Sequence, residues 1–261
     1  MLDISRSNLS YKAKDERKNN PIQDNEIEEK IRIIINLYPT FGYRRIKVML
    51  LSMFNLVVNR KRVQRILRKN KWQVKKRDKN AKPRVQKKRS KCETSNTRWA
   101  MDLTHIYCGN DGWGHLTAVI DCSDREIIGY EFALRGRSKE AVRAIESACI
   151  ERFGTIYPKG YVPVLRSDNG LIFQSRDFRL ACRNGLEQEF ITPYTPEQNG
   201  VIERFFRTLK EECVWQHLFY SFEEARNIIK KWIEWYNEGR PHQALGYLSP
   251  KQHREKVAKV A

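Results

Sequence analysis

Apolar positions over residues 24–70 recur with a helical period. Ile27, Ile31, Ile34, Ile35 and Leu37 follow Asp24 and stop at Tyr38-Pro39, which predicts a first helix. Ile46, Met49 and Leu50 mark a second helix over 41–51. Asn59 caps a third, apolar at Val63, Ile66 and Leu67 and running to about Asn70. From Asn96 the period changes to two. Residues 98–107 alternate with Asp102 in their middle, Asn110-Asp-Gly-Trp-Gly114 reads as a hairpin turn, and strands are expected over 114–122 and 127–134. Ser138 opens a capped helix with a stripe at Ala141, Val142, Ile145, Ala148 and Cys149. A strand within 161–168 ends at the turn Asp168-Asn-Gly170, and a helix near 175–184 and a strand near 186–191 follow. Pro193, Pro196 and Asn199-Gly200 then break the pattern. Beyond them Val201, Ile202, Phe205, Phe206 and Leu209 return to helical spacing, and a last helix runs from Ser221 to about Trp235 before a polar segment.

Three antiparallel strands followed by helix–strand–helix–strand–helix predict an α/β fold, a mixed sheet flanked by helices in ribonuclease-H-like order. A small all-α, helix-turn-helix-like module precedes it. The expected boundaries are a flexible segment over 1–24, the helical module over 25–75, a basic linker over 76–95, a catalytic core over 96–220, and a C-terminal helix and tail of that core over 221–261. A chain of 261 residues can bury one ordinary core plus a smaller module.

Charge sharpens this picture. The net charge of +19 lies entirely in residues 1–100, which hold 28 Lys and Arg against 9 Asp and Glu, whereas residues 101–261 hold 22 of each. Seventeen basic residues and one acidic residue between Arg60 and Lys91 point to a polyanionic partner. No apolar run approaches the about 20 residues that span a bilayer, and no secretory leader is evident, so a nucleic acid fits better than a membrane. Arg60, Arg62, Arg65, Arg68 and Lys69 lie outside the apolar stripe of the third helix. With Lys75 and Lys76 they are the expected phosphate contacts, although a small helical bundle with a charged outer face has the same pattern. The six cysteines include no CxxC pair, which argues against structural zinc and for reduced thiols in a cytosol.

Candidate chemistry comes from three carboxylates. Asp102 sits mid-way along the first core strand, Asp168 at the end of the fourth, and Glu203 just inside a late helix. In the expected topology the first and fourth strands are neighbours and the helix crosses their edge, so the three can converge. Carboxylates so gathered repel unless cations lie between them, and hard oxygen donors favour Mg²⁺ or Mn²⁺. Two such ions about 4 Å apart would serve an in-line displacement at a phosphodiester. Taken singly, each acid also reads as a turn, cap or surface-pair residue, as with Glu203 and Arg207 four positions on. His105 points to the opposite strand face from Asp102.

Four segments in order carry a resemblance: Trp99-Ala-Met-Asp102-Leu-Thr, Arg166-Ser-Asp168-Asn-Gly170, Pro193 through Phe206, and Trp235 through His242. They resemble the integrase core of bacterial insertion-sequence transposases of the OrfB type, which are related to retroviral integrases. The resemblance implies that Asp102, Asp168 and Glu203 are catalytic metal ligands. It implies one site that cuts double-stranded DNA at an element's end and then uses the freed 3′-OH to attack a second strand. It also implies a homo-oligomer on DNA, a partner protein from an upstream reading frame that supplies end recognition, and a place in the bacterial cytoplasm at the nucleoid. Tyr194, Gln198 and Asn199 are expected on a loop pressing on the DNA end. Arg204, Arg207 and Lys210 are expected at phosphates or, alternatively, as solubilising charges. Arg240 and His242 match the family's tail segment with no chemistry assigned to them. One departure is that 34 residues separate Asp168 from Glu203, one fewer than the commonest family spacing. A metal-dependent nuclease that does not join strands and a non-catalytic DNA-binding regulator are the two other readings.

Overall fold

The computed structural model describes residues 21–74, 92, 94–158, 160, 162–183, 185–192 and 196–259. They fall in two units, residues 1–76 and 77–261. Lys75, Lys76, Tyr194, nearly all of the expected linker and residues 1–20 of the expected lead-in lie outside the described residues.

In the first unit, α1 (Pro21–Leu37), α2 (Tyr43–Phe54) and α3 (Arg60–Lys69) match the three expected helices, with α1 opening before the expected boundary at residue 25. They bury Ile27, Ile31 and Ile34 against Ile46, Met49, Leu50, Val63, Ile66 and Leu67. Leu37, expected in the first stripe, is 57% exposed, because the 27–31–34 spacing already completes the inward face. Asn55 reverses the chain after α2 in the left-handed region at φ 53°, a conformation asparagine tolerates. The Asn59 side chain accepts the Lys61 N–H at 2.9 Å, the expected cap. On α3, Arg60, Arg65, Arg68 and Lys69 are exposed, whereas Arg62 is half-buried. Asp24 of α1 pairs with Arg62 at 2.6 Å and Arg65 at 3.0 Å, so two of the expected phosphate contacts are already engaged within the module.

The second unit is built on a five-stranded sheet of order β3-β2-β1-β4-β5, from β1 (Arg98–Tyr107), β2 (Trp113–Asp121), β3 (Ile127–Ala133), β4 (Val164–Ser167) and β5 (Glu187–Phe190). β1, β2 and β3 pair antiparallel, and β4 pairs parallel to β1 and to β5. Two helical layers cover it. Trp99, Met101 and Val119 point to α4 (Ser138–Phe153), α5 (Leu171–Gln174) and α6 (Arg176–Arg183). Ala100, Ile106, Leu116 and Ala118 point to α7 (Gly200–Glu212) and α8 (Phe222–Glu238). The alternation along β1 therefore serves two cores. The cap of α4 falls one residue earlier than Ser138: the Glu140 carboxylate accepts the Arg137 N–H at 3.0 Å. The segment after residue 238, expected as a polar tail, contains α9 (Pro250–Ala258), opened by a Ser249–Gln252 capping box with Pro250 inside it. The six cysteines are free thiols, and burial pushes those of Cys182 and Cys213 up to about 12.

α4 lies against β3 through Gly129, where a Cβ would meet the Ala144 carbonyl oxygen and lie 2.6 Å from the Ala148 nitrogen. α7 and α8 are tied by charge as well as by apolar contact. Arg240, 3% exposed, donates from Nε and Nη2 to the two Glu212 carboxylate oxygens at 2.7 and 2.6 Å. Its guanidinium lies 5.6 Å from the Tyr236 ring centre, and His242 meets that ring edge-on at 4.7 Å. A second buried cluster sits at the β2–β3 turn: Arg152 pairs with Asp124 and Glu126 at 3.0 Å each, and Arg254 of α9 reaches Glu126 at 2.9 Å.

Gly129→Ala forces α4 off the sheet and lowers unfolding free energy by about 1–3 kcal/mol in urea titrations. Arg240→Met leaves the Glu212 charge buried without its partner and costs about 3–5 kcal/mol. The double change Arg240→Met with Glu212→Leu recovers most of that loss, which the same titrations measure.

Candidate active site

Asp102 reaches its position through strand alternation and parallel register. β1 pairs Ala100 with Arg166 of β4, and β4 ends at Ser167, so Asp168 follows that strand beside the stretch of β1 that carries Asp102. Asp102 shares the face of Ala100, which is the face that α7 covers. α7 turns Ile202, Phe205, Phe206 and Leu209 into the core and carries Glu203 exposed in its first turn. His105 lies on the other side, exposed, with its ring 4.7 Å from that of its strand partner His115.

The carboxyl of Asp102 is shifted by its surroundings. Burial, then the negative charges of Asp168 and Glu203, push its carboxyl up to about 6, against the Leu103 N–H and the positive charge of Lys210. The Leu103 N–H donates to Asp102 Oδ1 at 2.7 Å. Asp168 also does what a turn aspartate does, since its Oδ1 accepts the Gly170 N–H at 2.9 Å. Glu203, 34 residues beyond Asp168, contributes negative charge at Asp102. Among the described residues no three His, Cys, Asp or Glu side chains stand close enough to share one ion as arranged.

The remaining expected residues divide. Arg204 and Arg207 are exposed on α7 beside Glu203, and Lys210 is half-buried. Gln198 folds back on the chain: its Oε1 accepts the Thr192 N–H at 2.9 Å and its Nε2 donates to Thr192 Oγ1 at 3.3 Å. Asn199, expected on a loop at the DNA, is 3% exposed, and its Nδ2 donates to the Met101 carbonyl at 3.3 Å. Arg166, quoted in a motif but given no role by spacing, is 6% exposed. It donates to Glu189 of β5 at 3.0 and 3.2 Å and from Nη1 to the Gln198 carbonyl at 2.9 Å. The one signal for it in the chain is a lone charge within the short strand Val164–Ser167.

Models of an integrase core domain match residues 93–196 and 184–250, and a model of a helix-turn-helix-like domain matches residues 23–80. The chain is 32% identical over 248 residues to the transposase InsD of insertion element IS2A/D/F/H/I/K from Escherichia coli, covering 92% of this chain and 81% of that protein. The InsD transposase of element IS2-9 from the K12 strain gives the same identity over 92% and 80% of the two chains. A chain of the simian T-cell lymphotropic virus intasome, solved with the PP2A regulatory subunit B56 gamma, shares the fold with a TM-score of 0.52 at 17% identity, covering 86% of this chain and 74% of that one. Among the described residues no helix is long and apolar enough to cross a membrane. A helix-turn-helix-like module ahead of an integrase core, with this identity sustained along nearly the whole length, makes the chain a member of the insertion-sequence transposases.

Proposed function

We propose that Asp102, Asp168 and Glu203 are the catalytic residues of this transposase and that together they hold Mg²⁺ or Mn²⁺, with room in the chemistry for two ions. The observation that carries the reading is Asp102, whose carboxyl is raised by burial and by two acids brought from distant parts of the chain. An all-carboxylate donor set with a surplus of negative charge fits a hard divalent cation. Such a cation, when bound, would activate the attacking oxygen and stabilise the leaving one in phosphodiester displacement.

The protein's own part is arrangement. Asp102 and Asp168 present oxygens from adjacent strands, and Glu203 presents its own from the first turn of α7. Arg204 and Arg207, exposed on that helix, meet phosphates of the DNA, and Lys210 favours ionised Asp102. The reaction is strand cleavage at an element's end followed by attack of the freed 3′-OH on a second strand. Joining two ends requires two such sites, so the acting species is an oligomer on double-stranded DNA. An upstream-frame partner adds end recognition, and the work is done at the bacterial nucleoid. Arg60 and Arg68 of α3 contribute backbone contacts.

Asp102→Asn, Asp168→Asn and Glu203→Gln each lower strand transfer from a labelled precleaved end in Mg²⁺ by on the order of a hundredfold or more, since even residues behind metal ligands are worth about 10–100-fold. Wild-type activity in any of the three variants defeats the assignment, and cleavage without joining in the parent chain makes it a nuclease. Arg60→Ala with Arg68→Ala lowers the salt-dependence slope of DNA binding by about 2, at about 0.9 per phosphate contact. An unchanged slope in fluorescence-anisotropy titrations removes α3 from the interface.

A further inference from the structure

The apolar stripe of α7 alone does not define where the helix that carries Glu203 begins. Van der Waals contact along one face limits how far a helix leans from a sheet, yet permits it to slide along its own axis. Two hydrogen bonds restrain that freedom at the start of α7, as the Arg240–Glu212 pair does at its far end. One runs from Asn199 Nδ2 to the carbonyl of Met101, the residue before Asp102. The other runs from Arg166 Nη1 to the carbonyl of Gln198, and Arg166 lies two residues before Asp168. Each bond thus ties the turn ahead of α7 to the stretch of strand that carries a different aspartate.

Both donors are buried, and neither is explained by stability alone. Arg166 is buried, but its partner Glu189 is 39% exposed on the side chain, and so exposed an ion pair adds little to stability. Asn199 precedes α7 without capping it through its side chain, which instead crosses to β1. The Glu189 carboxylate, accepting at 3.0 and 3.2 Å, fixes the guanidinium plane and so aims Nη1 at the Gln198 carbonyl. Gln198 in turn closes on Thr192 through both ends of its amide.

We infer that Arg166 and Asn199 are positioning residues that latch the start of α7 to β4 and β1 and thereby set Glu203 opposite Asp102 and Asp168. The inference rests on the reading of Glu203 as a metal ligand, and its test separates the two. The full chain is compared with Arg166→Met, with Asn199→Leu, which keeps the shape and loses the donor, and with Arg166→Lys, which keeps one charged donor. Amide hydrogen exchange, Mn²⁺ binding without DNA, thermal unfolding, and strand transfer at graded Mg²⁺ are measured for each.

The latches predict that amides at 200–204 exchange on the order of tenfold faster in Arg166→Met and Asn199→Leu, while those of α8 keep their rates. Mn²⁺ affinity falls about 10–100-fold, as for other residues that orient metal ligands. The Mg²⁺ needed for half-maximal strand transfer rises by the same factor, excess metal restores activity, and Arg166→Lys lies between. Unchanged exchange at 200–204, or a uniform rise across the sheet and α8 with a lowered melting temperature, overturns the latch and leaves only a structural role. If Glu203→Gln binds Mn²⁺ as tightly as the parent chain, the metal reading fails, and the exchange data still decide the latch.

Discussion

Burial of a carboxylate, with like charge beside it, is the constraint around which the core is arranged. Asp102 sits where burial and two further carboxylates all work against its ionisation, and the fold holds it there with its carboxyl near 6. Folding free energy from elsewhere in the domain opposes that repulsion. It comes from the parallel pairing of β1 with β4, which sets Asp168 beside the stretch of β1 that carries Asp102, and from the apolar residues of α7, which bring the glutamate across. A site assembled against electrostatic resistance is short of positive charge by construction, which is the condition for binding cations tightly.

Because α7 carries the third acid, its placement matters more than that of any other helix, and it is restrained at both ends. At its start the chain is bonded to β1 through Asn199 and to β4 through Arg166. At its far end Glu212 is gripped in a two-pronged ion pair by Arg240, whose guanidinium lies over Tyr236. Between these anchors Phe205 packs against Trp232 and Tyr236 of α8. The polar residues that follow α8 thus brace the helix that carries Glu203, which gives a structural role to a tail segment with no chemistry assigned by spacing.

What the chain revealed about itself follows from the range of each interaction. Periodicity is local, so the three helices of the first module, the antiparallel strands and the buried stripe of α7 were all legible. The place of Asp102 in its strand follows from the same reading, whereas the adjacency of β1 and β4 comes from the ribonuclease-H-like order of the elements. Long-range polar pairs were not legible. Arg166 with Glu189, Asn199 with the Met101 carbonyl and Arg240 with Glu212 join residues whose proximity exists only after folding. Asparagine before glycine signals a turn at Asn199, and the turn is there with the side chain directed inward to the Met101 carbonyl. α9 is a different kind of miss, since Ser249, Pro250 and Gln252 spell out a local cap, and α5 has too few residues to show a period.

The charge cluster at the β2–β3 turn has a bearing on where the domain ends. Asp124 and Glu126 are almost wholly shielded from water, and of the two arginines that answer them one, Arg254, is contributed by the last helix. Deleting α9 would therefore subtract a counter-ion from the interior as well as a few surface residues. A tag or fused protein is compatible with this core when attached after Ala258, and shortening the polypeptide to the end of α8 strips a buried acid of half its neutralisation.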